Sequence, residues 1–344
     1  MKKLLSVLLC FLLLPVFSGR CEAAGFPVHQ DMGAAFTEED VAVGDPALPG
    51  TLTLPQDQSF FASPLPAAVL LHGSGPSDRD ESIGQTHLFR DLAQGLSIQG
   101  MAVLRYDKRT FVYGSAYTPE DLKAFTVQEE SIRDAVAAAE YLRSDPRIDP
   151  NRVYLIGHSM GAMIAPRIAQ ENPGLFAGLI LLSGTPKTLG EIVLSQNQAM
   201  VDALPPLARA VGQMQMAALW LEWSGLMRCT AEEAKTKTVF GQPGYYFWEM
   251  AQHDTASILG TLTLPVLIIN GGQDFQVTDG DGIDAWRALE LPETVRLIYH
   301  PELNHLLMAP EVPEETRGTV QEYNAPCRVS EEAVDEIAQF ILEQ

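Results

Sequence analysis

The chain has 344 residues, with 23 Lys and Arg against 44 Asp and Glu, for a formal net charge of −21. So acidic a surface repels phosphate backbones and anionic headgroups, which argues against nucleic acid as a partner and otherwise serves solubility. The length suits one α/β domain carrying an insertion, with ample chain to bury a core.

At the N-terminus, Met1-Lys2-Lys3, the apolar run from Leu4 to Phe17 and the small-residue stretch Cys21-Glu22-Ala23-Ala24-Gly25 follow the order of a secretory signal peptide. The run is shorter than the roughly 20 residues that span a bilayer. Residues 1–24 are therefore expected to be cleaved near Ala23–Gly25, leaving no stable membrane anchor and a secreted or periplasmic protein. Arg20 directly before Cys21 disfavours lipid attachment there. Cys10 and Cys21 would leave with the segment. Cys229 and Cys327 would remain in an oxidising compartment, where a disulfide between them is favoured over two buried thiols. Their spacing matches no zinc site, and no metal is expected.

Residues 38–55 read as an antiparallel lead-in. Six apolar, β-branched runs then read as buried strands: 67–71, 102–106, 152–156, 178–182, 265–269 and 295–299. Helical patterns fall at about 86–98, 127–143, 160–171 and 330–343, the last behind Ser330 with an acidic first turn. This alternation predicts a mostly parallel sheet covered on both faces. From 187 to 260 no strand is evident. That stretch is helical and holds Trp220, Trp223, Met227 and Trp248, which reads as a helical cap on the sheet's ligand-binding edge. The organisation expected is a core of 25–186 and 261–344 with a cap of 187–260. Most of the cap's large side chains are expected to form its own core, and Trp220, Trp223, Met227 and Trp248 are candidates for lining an apolar pocket.

Gly157-His158-Ser159-Met160-Gly161 follows the strand 152–156 directly and opens the next helix. A sharp strand-to-helix turn needs small flanking residues and lifts the serine above the sheet edge, so Ser159 is the candidate nucleophile. A serine hydroxyl attacks only when a base removes its proton. Asp274 follows the strand 265–269 and His305 follows the strand 295–299, on loops leaving the same edge. His305 is the candidate base, preferred to His300 at the strand end, with Asp274 to orient it. The Met160 N–H and that of Ser74, with Gly75 next, are candidate oxyanion donors. Arg79, and likewise Asp107-Lys108-Arg109, are expected to brace loops by charge pairing. Asp279, Asp281 and Asp284 complete no calcium loop and read as a polar turn capping a helix from about 283.

Leu71-His72-Gly73-Ser74-Gly75-Pro76-Ser77-Asp78-Arg79-Asp80, Arg105-Tyr106-Asp107-Lys108-Arg109 and Gly157-His158-Ser159-Met160-Gly161 together resemble bacterial α/β-hydrolase esterases of the serine aminopeptidase and acyl-CoA thioesterase-like branch. The resemblance covers roughly 50–344. It implies the α/β-hydrolase fold and hydrolysis of small-molecule esters or acyl compounds through an acyl-enzyme, with neither metal nor organic cofactor. Thr110, Phe111, Val112 and Tyr113 depart from the glycine and small residue that commonly follow in the family. The same residues would also serve a peptidase, a thioesterase or an acyltransferase. A binding protein without catalysis is a rival of another class, disfavoured because every catalytic position holds a competent residue.

Overall fold

The computed structural model describes residues 36–344, so the expected signal segment lies outside the described residues. Eight strands form one sheet: β1 (Phe36–Val43), β2 (Leu48–Pro55), β3 (Leu65–Leu71), β4 (Ala102–Tyr106), β5 (Ile148–His158), β6 (Gly178–Leu182), β7 (Val266–Gly271) and β8 (Val295–His300). Their spatial order is β1-β2-β4-β3-β5-β6-β7-β8. β1 and β2 pair antiparallel, as does β2 with β4, and every later pairing is parallel. All six strands expected after the lead-in are present, as is the lead-in itself.

The alternation of side chains along the strands separates two cores. Ala67, Val69 and Leu71 of β3 join one cluster, and Ala68 and Leu70 join the other. Helices α1 (Leu88–Ile98) and α11 (Glu331–Leu342) cover the second face, where Phe89, Leu92, Ile337 and Ile341 are buried. A five-residue turn, α2 (Arg109–Tyr113), follows β4. α3 (Arg133–Ser144) and α4 (Met160–Glu171) cover the first face through Ala135, Leu142, Ile164 and Ile168. A π-turn, Gln128–Ile132, precedes α3 within the helix expected from 127. Ser330 is the N-cap residue of α11, but its side chain makes no capping bond.

Between β6 and β7 lie five helices: α5 (Leu189–Asp202), α6 (Pro206–Leu226), α7 (Ala231–Ala234), α8 (Gly244–Met250) and α9 (Thr255–Leu259). A two-residue ribbon, Thr238–Val239 with Gln242–Pro243, is the one strand pairing inside this insert. Thr188 and Thr230 cap α5 and α7 with reciprocal bonds to Glu191 and Glu233. α6 is apolar nearly all round: Trp223 and Leu226 are buried, whereas Leu207, Met214 and Leu221 face solvent. Among the described residues, no helix is long and apolar enough to cross a membrane. The last short helix, α10 (Ile283–Arg287), starts at Gly282 without a side-chain cap. The side chains of the aspartates before it bond other partners instead. Asp279 accepts from the Tyr299 hydroxyl at 2.9 Å, and Asp281 pairs with Lys187 at 2.6 Å.

Cys229 and Cys327 are free thiols, which corrects the favoured expectation of a disulfide. Cys229 closes α6 in the insert and its Sγ donates to the Gly225 carbonyl at 3.2 Å. Cys327 precedes α11 and packs against the core on the α1 and α11 face. The two sulfurs thus belong to different layers of the molecule.

Candidate active site

Four loops leave the C-terminal ends of parallel strands on one edge of the sheet. Ser74 follows β3, Ser159 follows β5, Asp274 follows β7 and His305 follows β8. Sequence order scatters these residues over more than half the chain, and the sheet topology gathers them.

Ser159 occupies the tightest turn. Its φ is +53° and its ψ −117°, a left-handed conformation that costs a non-glycine residue about 1–3 kcal/mol. The flanking glycines make the turn possible. A Cβ on Gly157 would overlap the backbone of Gly161, and one on Gly161 would overlap the Leu71 carbonyl. The Ser159 N–H is anchored on the Leu182 carbonyl of β6 at 2.9 Å. Met160 is the first residue of α4, so its N–H has no partner within the helix and carries the positive end of the helix dipole.

Asp274 and His305 are both buried, at 5% and 2% exposure, and are joined by a hydrogen bond of 2.7 Å between Nδ1 and Oδ2. The other oxygen, Oδ1, accepts the N–H groups of Gln276 and Val277 at 2.8 Å each. These three hydrogen bonds fix the orientation of the Asp274 carboxylate against His305. The loop around His305 is pinned through Asn304. Its Oδ1 accepts from Leu306 and Met308 N–H, and its Nδ2 donates to Glu322 at 2.8 Å. His300 lies apart from this pair, hydrogen-bonded through Nε2 to Glu336 of α11 at 2.8 Å.

His158, beside the nucleophile, is buried between two acceptors. Its Nε2 lies 3.0 Å from the His305 carbonyl, and its Nδ1 lies 3.1 Å from Glu81 Oε2. The second contact is close enough for strong Coulomb attraction but off the hydrogen-bond axis, since neither atom has an aligned partner. Burial opposes charge on His158, yet the Glu81 carboxylate outweighs it and holds the imidazolium above its ordinary range. Burial likewise opposes the Glu81 charge, and His158 overcomes it, so Glu81 is held below the ordinary carboxylate range. An ion pair thus sits directly behind the serine turn. The His158 and His305 rings lie 4.8 Å apart between centroids.

The loop after β3 is fixed from two sides. The Gly73 N–H donates to Glu81 Oε1 at 2.8 Å, while the Gly73 and Gly75 carbonyls accept from Lys108 Nζ at 2.8 and 3.0 Å. With the Gly73 amide taken, the next N–H along the loop is that of Ser74, which meets no protein acceptor among the described residues. Gly73 lies so close to the nucleophile that a Cβ there would stand 3.2 Å from Ser159 Cβ. Arg79 braces the far end of the loop on Asp107 through Nε and Nη2, each at 3.0 Å, and on the Gly50 carbonyl. Arg109 pairs with buried Asp134, with Nε to Oδ2 at 3.0 Å. The expected bracing by these charged residues is present.

Residues 68–318 match the alpha/beta hydrolase family. The chain belongs to the alpha/beta hydrolase family. It is 35% identical over 308 residues to esterase EstD of Thermotoga maritima, covering 90% of this chain and 68% of that protein. Among solved structures this hydrolase resembles Est1E of Butyrivibrio proteoclasticus, with a TM-score of 0.53 and 15% identity over 89% of this chain and 99% of the other. It also resembles a proline iminopeptidase of Mycobacterium smegmatis, with a TM-score of 0.52 and 18% identity over 89% and 98% of the two chains. At such identities these two likenesses concern the fold alone.

The insert of this hydrolase corrects the expectation for the pocket. Trp220 is 53% exposed on the outer side of α6. Trp223 is buried and stacks on Phe240, and half-buried Met227 packs against the same core. Trp248 stacks on Tyr245 and donates Nε1–H to the Cys229 carbonyl at 3.0 Å. These side chains build the insert itself. Tyr246 of α8 reaches the serine turn from the insert: its hydroxyl lies 3.3 Å from Met160 Sδ and donates to Glu130 Oε2. Sequence reasoning passed over Tyr246, Glu130 and Asn304, because nothing in their local pattern marks them as facing the site. Glu81 follows closely on Arg79, the one residue of their charged stretch singled out as a brace.

Proposed function

We propose that the protein is a carboxylesterase in which Ser159 is the nucleophile, His305 the base and Asp274 the residue that orients it. The buried, 2.7 Å hydrogen bond between Asp274 and His305, at the same sheet edge as the strained Ser159 turn, carries this reading. The kinship with a protein named as an esterase supports the ester as substrate class.

In the first half-reaction Ser159 Oγ attacks the ester carbonyl carbon while its proton passes to His305 Nε2. Asp274 stabilises the resulting imidazolium through Nδ1–H. The carbonyl oxygen becomes an oxyanion and accepts the N–H groups of Met160 and Ser74. The tetrahedral intermediate collapses as the C–O bond to the alcohol breaks, and His305 returns its proton to that oxygen. In the second half-reaction water, deprotonated by the same imidazole, attacks the acyl-enzyme. The carboxylic acid departs and Ser159 regains its proton. The helical insert of 187–260 serves as the cap over this edge, and residues 1–24 direct export of the chain.

Hydrolysis of p-nitrophenyl esters of graded acyl length, alongside aminoacyl p-nitroanilides, tests the assignment. Ester turnover that Ser159→Ala abolishes is the expected result. Persistence of turnover in Ser159→Ala, or cleavage of the anilides alone, would overturn it.

A further inference from the structure

Lys108 is among the most deeply buried charged side chains of the protein, at 1% exposure. Its ammonium group has three N–H bonds, and the structure occupies three directions. The Gly73 carbonyl lies at 2.8 Å, the Gly75 carbonyl at 3.0 Å and Glu130 Oε1 at 3.2 Å. Glu130, itself 6% exposed, comes from the π-turn that opens α3. Its Oε1 also accepts from the Thr110 hydroxyl at 3.0 Å, and its Oε2 accepts from Tyr246 of the cap. A continuous buried polar chain therefore runs from α8 of the cap to the loop after β3. At its cap end the Tyr246 hydroxyl also touches Met160 Sδ at 3.3 Å. One network thus meets Met160 and the two carbonyls on either side of Ser74, next to both N–H groups assigned to the oxyanion.

The geometry of the peptide unit gives this contact a consequence for catalysis. The bond between Gly73 and Ser74 is planar and trans, so the Gly73 carbonyl and the Ser74 N–H point in opposite directions. Whatever fixes that carbonyl also aims that N–H. The Gly73 N–H is independently held by Glu81 Oε1, which removes it as a rival donor. A charged donor is stronger and more directional than a neutral one, and here it is sealed from water that would compete for the carbonyls.

We propose that Lys108 is the positioning residue that aims the Ser74 N–H at the reacting carbonyl oxygen, and that Tyr246 of the cap latches it in place through Glu130. The inference rests on the esterase reading above. It makes cap docking and oxyanion stabilisation one event. Substitution at Tyr246 then acts on the chemical step, where a residue that merely lined the pocket would act on substrate binding.

The test compares Lys108→Met and Tyr246→Phe with the parent protein. The readouts are kcat and KM for p-nitrophenyl butyrate, and inhibition by an alkyl trifluoromethyl ketone, whose hemiketal oxyanion occupies the oxyanion site. Loss of one oxyanion donor costs about 10²- to 10³-fold in kcat, so Lys108→Met should fall in that range with KM changed by less than about threefold. Tyr246→Phe removes one hydrogen bond to a carboxylate and should lower kcat by roughly tenfold. Ketone affinity should weaken in proportion to kcat/KM in both variants. If Lys108→Met does not fold, Tyr246→Phe, which retains the Lys108–Glu130 pair, decides the matter. Unchanged kcat and ketone affinity, or an effect confined to KM, would overturn the inference while Ser159→Ala still abolished turnover. Turnover surviving in Ser159→Ala would overturn the esterase reading itself.

Discussion

Asparagine at position 274 separates the orienting role of the carboxylate from its role in holding the loop. Oδ1 accepts two backbone N–H groups at 2.8 Å and Oδ2 accepts His305 Nδ1–H at 2.7 Å. Asn has one oxygen, and two backbone donors claim it. Its NH₂ group must then face His305 Nδ1, which becomes an acceptor as the ring proton moves to Nε2. That tautomer cannot take a proton from Ser159. The opposite amide rotamer restores the tautomer but sets NH₂ against both backbone donors, leaving two buried N–H groups unsatisfied at about 1–3 kcal/mol each. Neither arrangement is productive at low cost. The expected loss in Asp274→Asn is about 10⁴-fold in kcat, roughly 5 kcal/mol of barrier, at nearly constant KM and thermal stability. Steady-state hydrolysis of p-nitrophenyl butyrate with parallel thermal denaturation measures both. A folded variant that loses less than about tenfold in kcat would refute the assignment of Asp274.

The buried Glu81–His158 pair predicts a pH signature. His158 is held above its ordinary 6.5, so its contribution is complete below 6.5 and disappears as pH rises through the raised value. Glu81 is held below its ordinary 4.5, so its contribution is complete above 4.5 and disappears as pH falls through the lowered value. The Tm difference between the parent and His158→Gln should therefore peak between 4.5 and 6.5, and a difference that stays flat with pH would contradict the ion pair. Gly161→Ala forces a methyl group into the Leu71 carbonyl and should cost about 1–3 kcal/mol, seen as a lower Tm; an unchanged Tm would mean the turn has room to give. Reductant should leave the Tm unaltered, and alkylation of the unreduced, denatured chain should label both Cys229 and Cys327. Recovery of those two peptides joined by a disulfide would contradict the free thiols described above.

The fold was legible because its signals are local. β3, β4 and β6 announce themselves as short apolar runs, and the Gly157–Gly161 pentapeptide marks the strand-to-helix turn through its need for small residues. Ser159, Asp274 and His305 could be placed because each follows a recognisable strand. Partners across the fold left no such mark. Glu130 lies in a run of acids at the head of a helix, yet the fold buries it against a lysine from another loop and a tyrosine from the cap. The tryptophans of the insert misled for the complementary reason. A helix rich in apolar residues reads the same whether its side chains line a pocket, fill the cap or, as with Trp220, meet solvent. The Cys229–Cys327 pairing rested on compartment alone, and cysteine counting carries no information about which layer each thiol enters.

The claim on which the account turns is a covalent acyl intermediate on one serine. Intact-mass analysis after reaction with a fluorophosphonate, followed by peptide mapping, measures it directly. A single adduct on the Ser159 side chain, formed as esterase activity is lost and absent from Ser159→Ala, is the predicted result. Activity that survives complete labelling of Ser159, or inactivation by an adduct elsewhere in the chain, would contradict it.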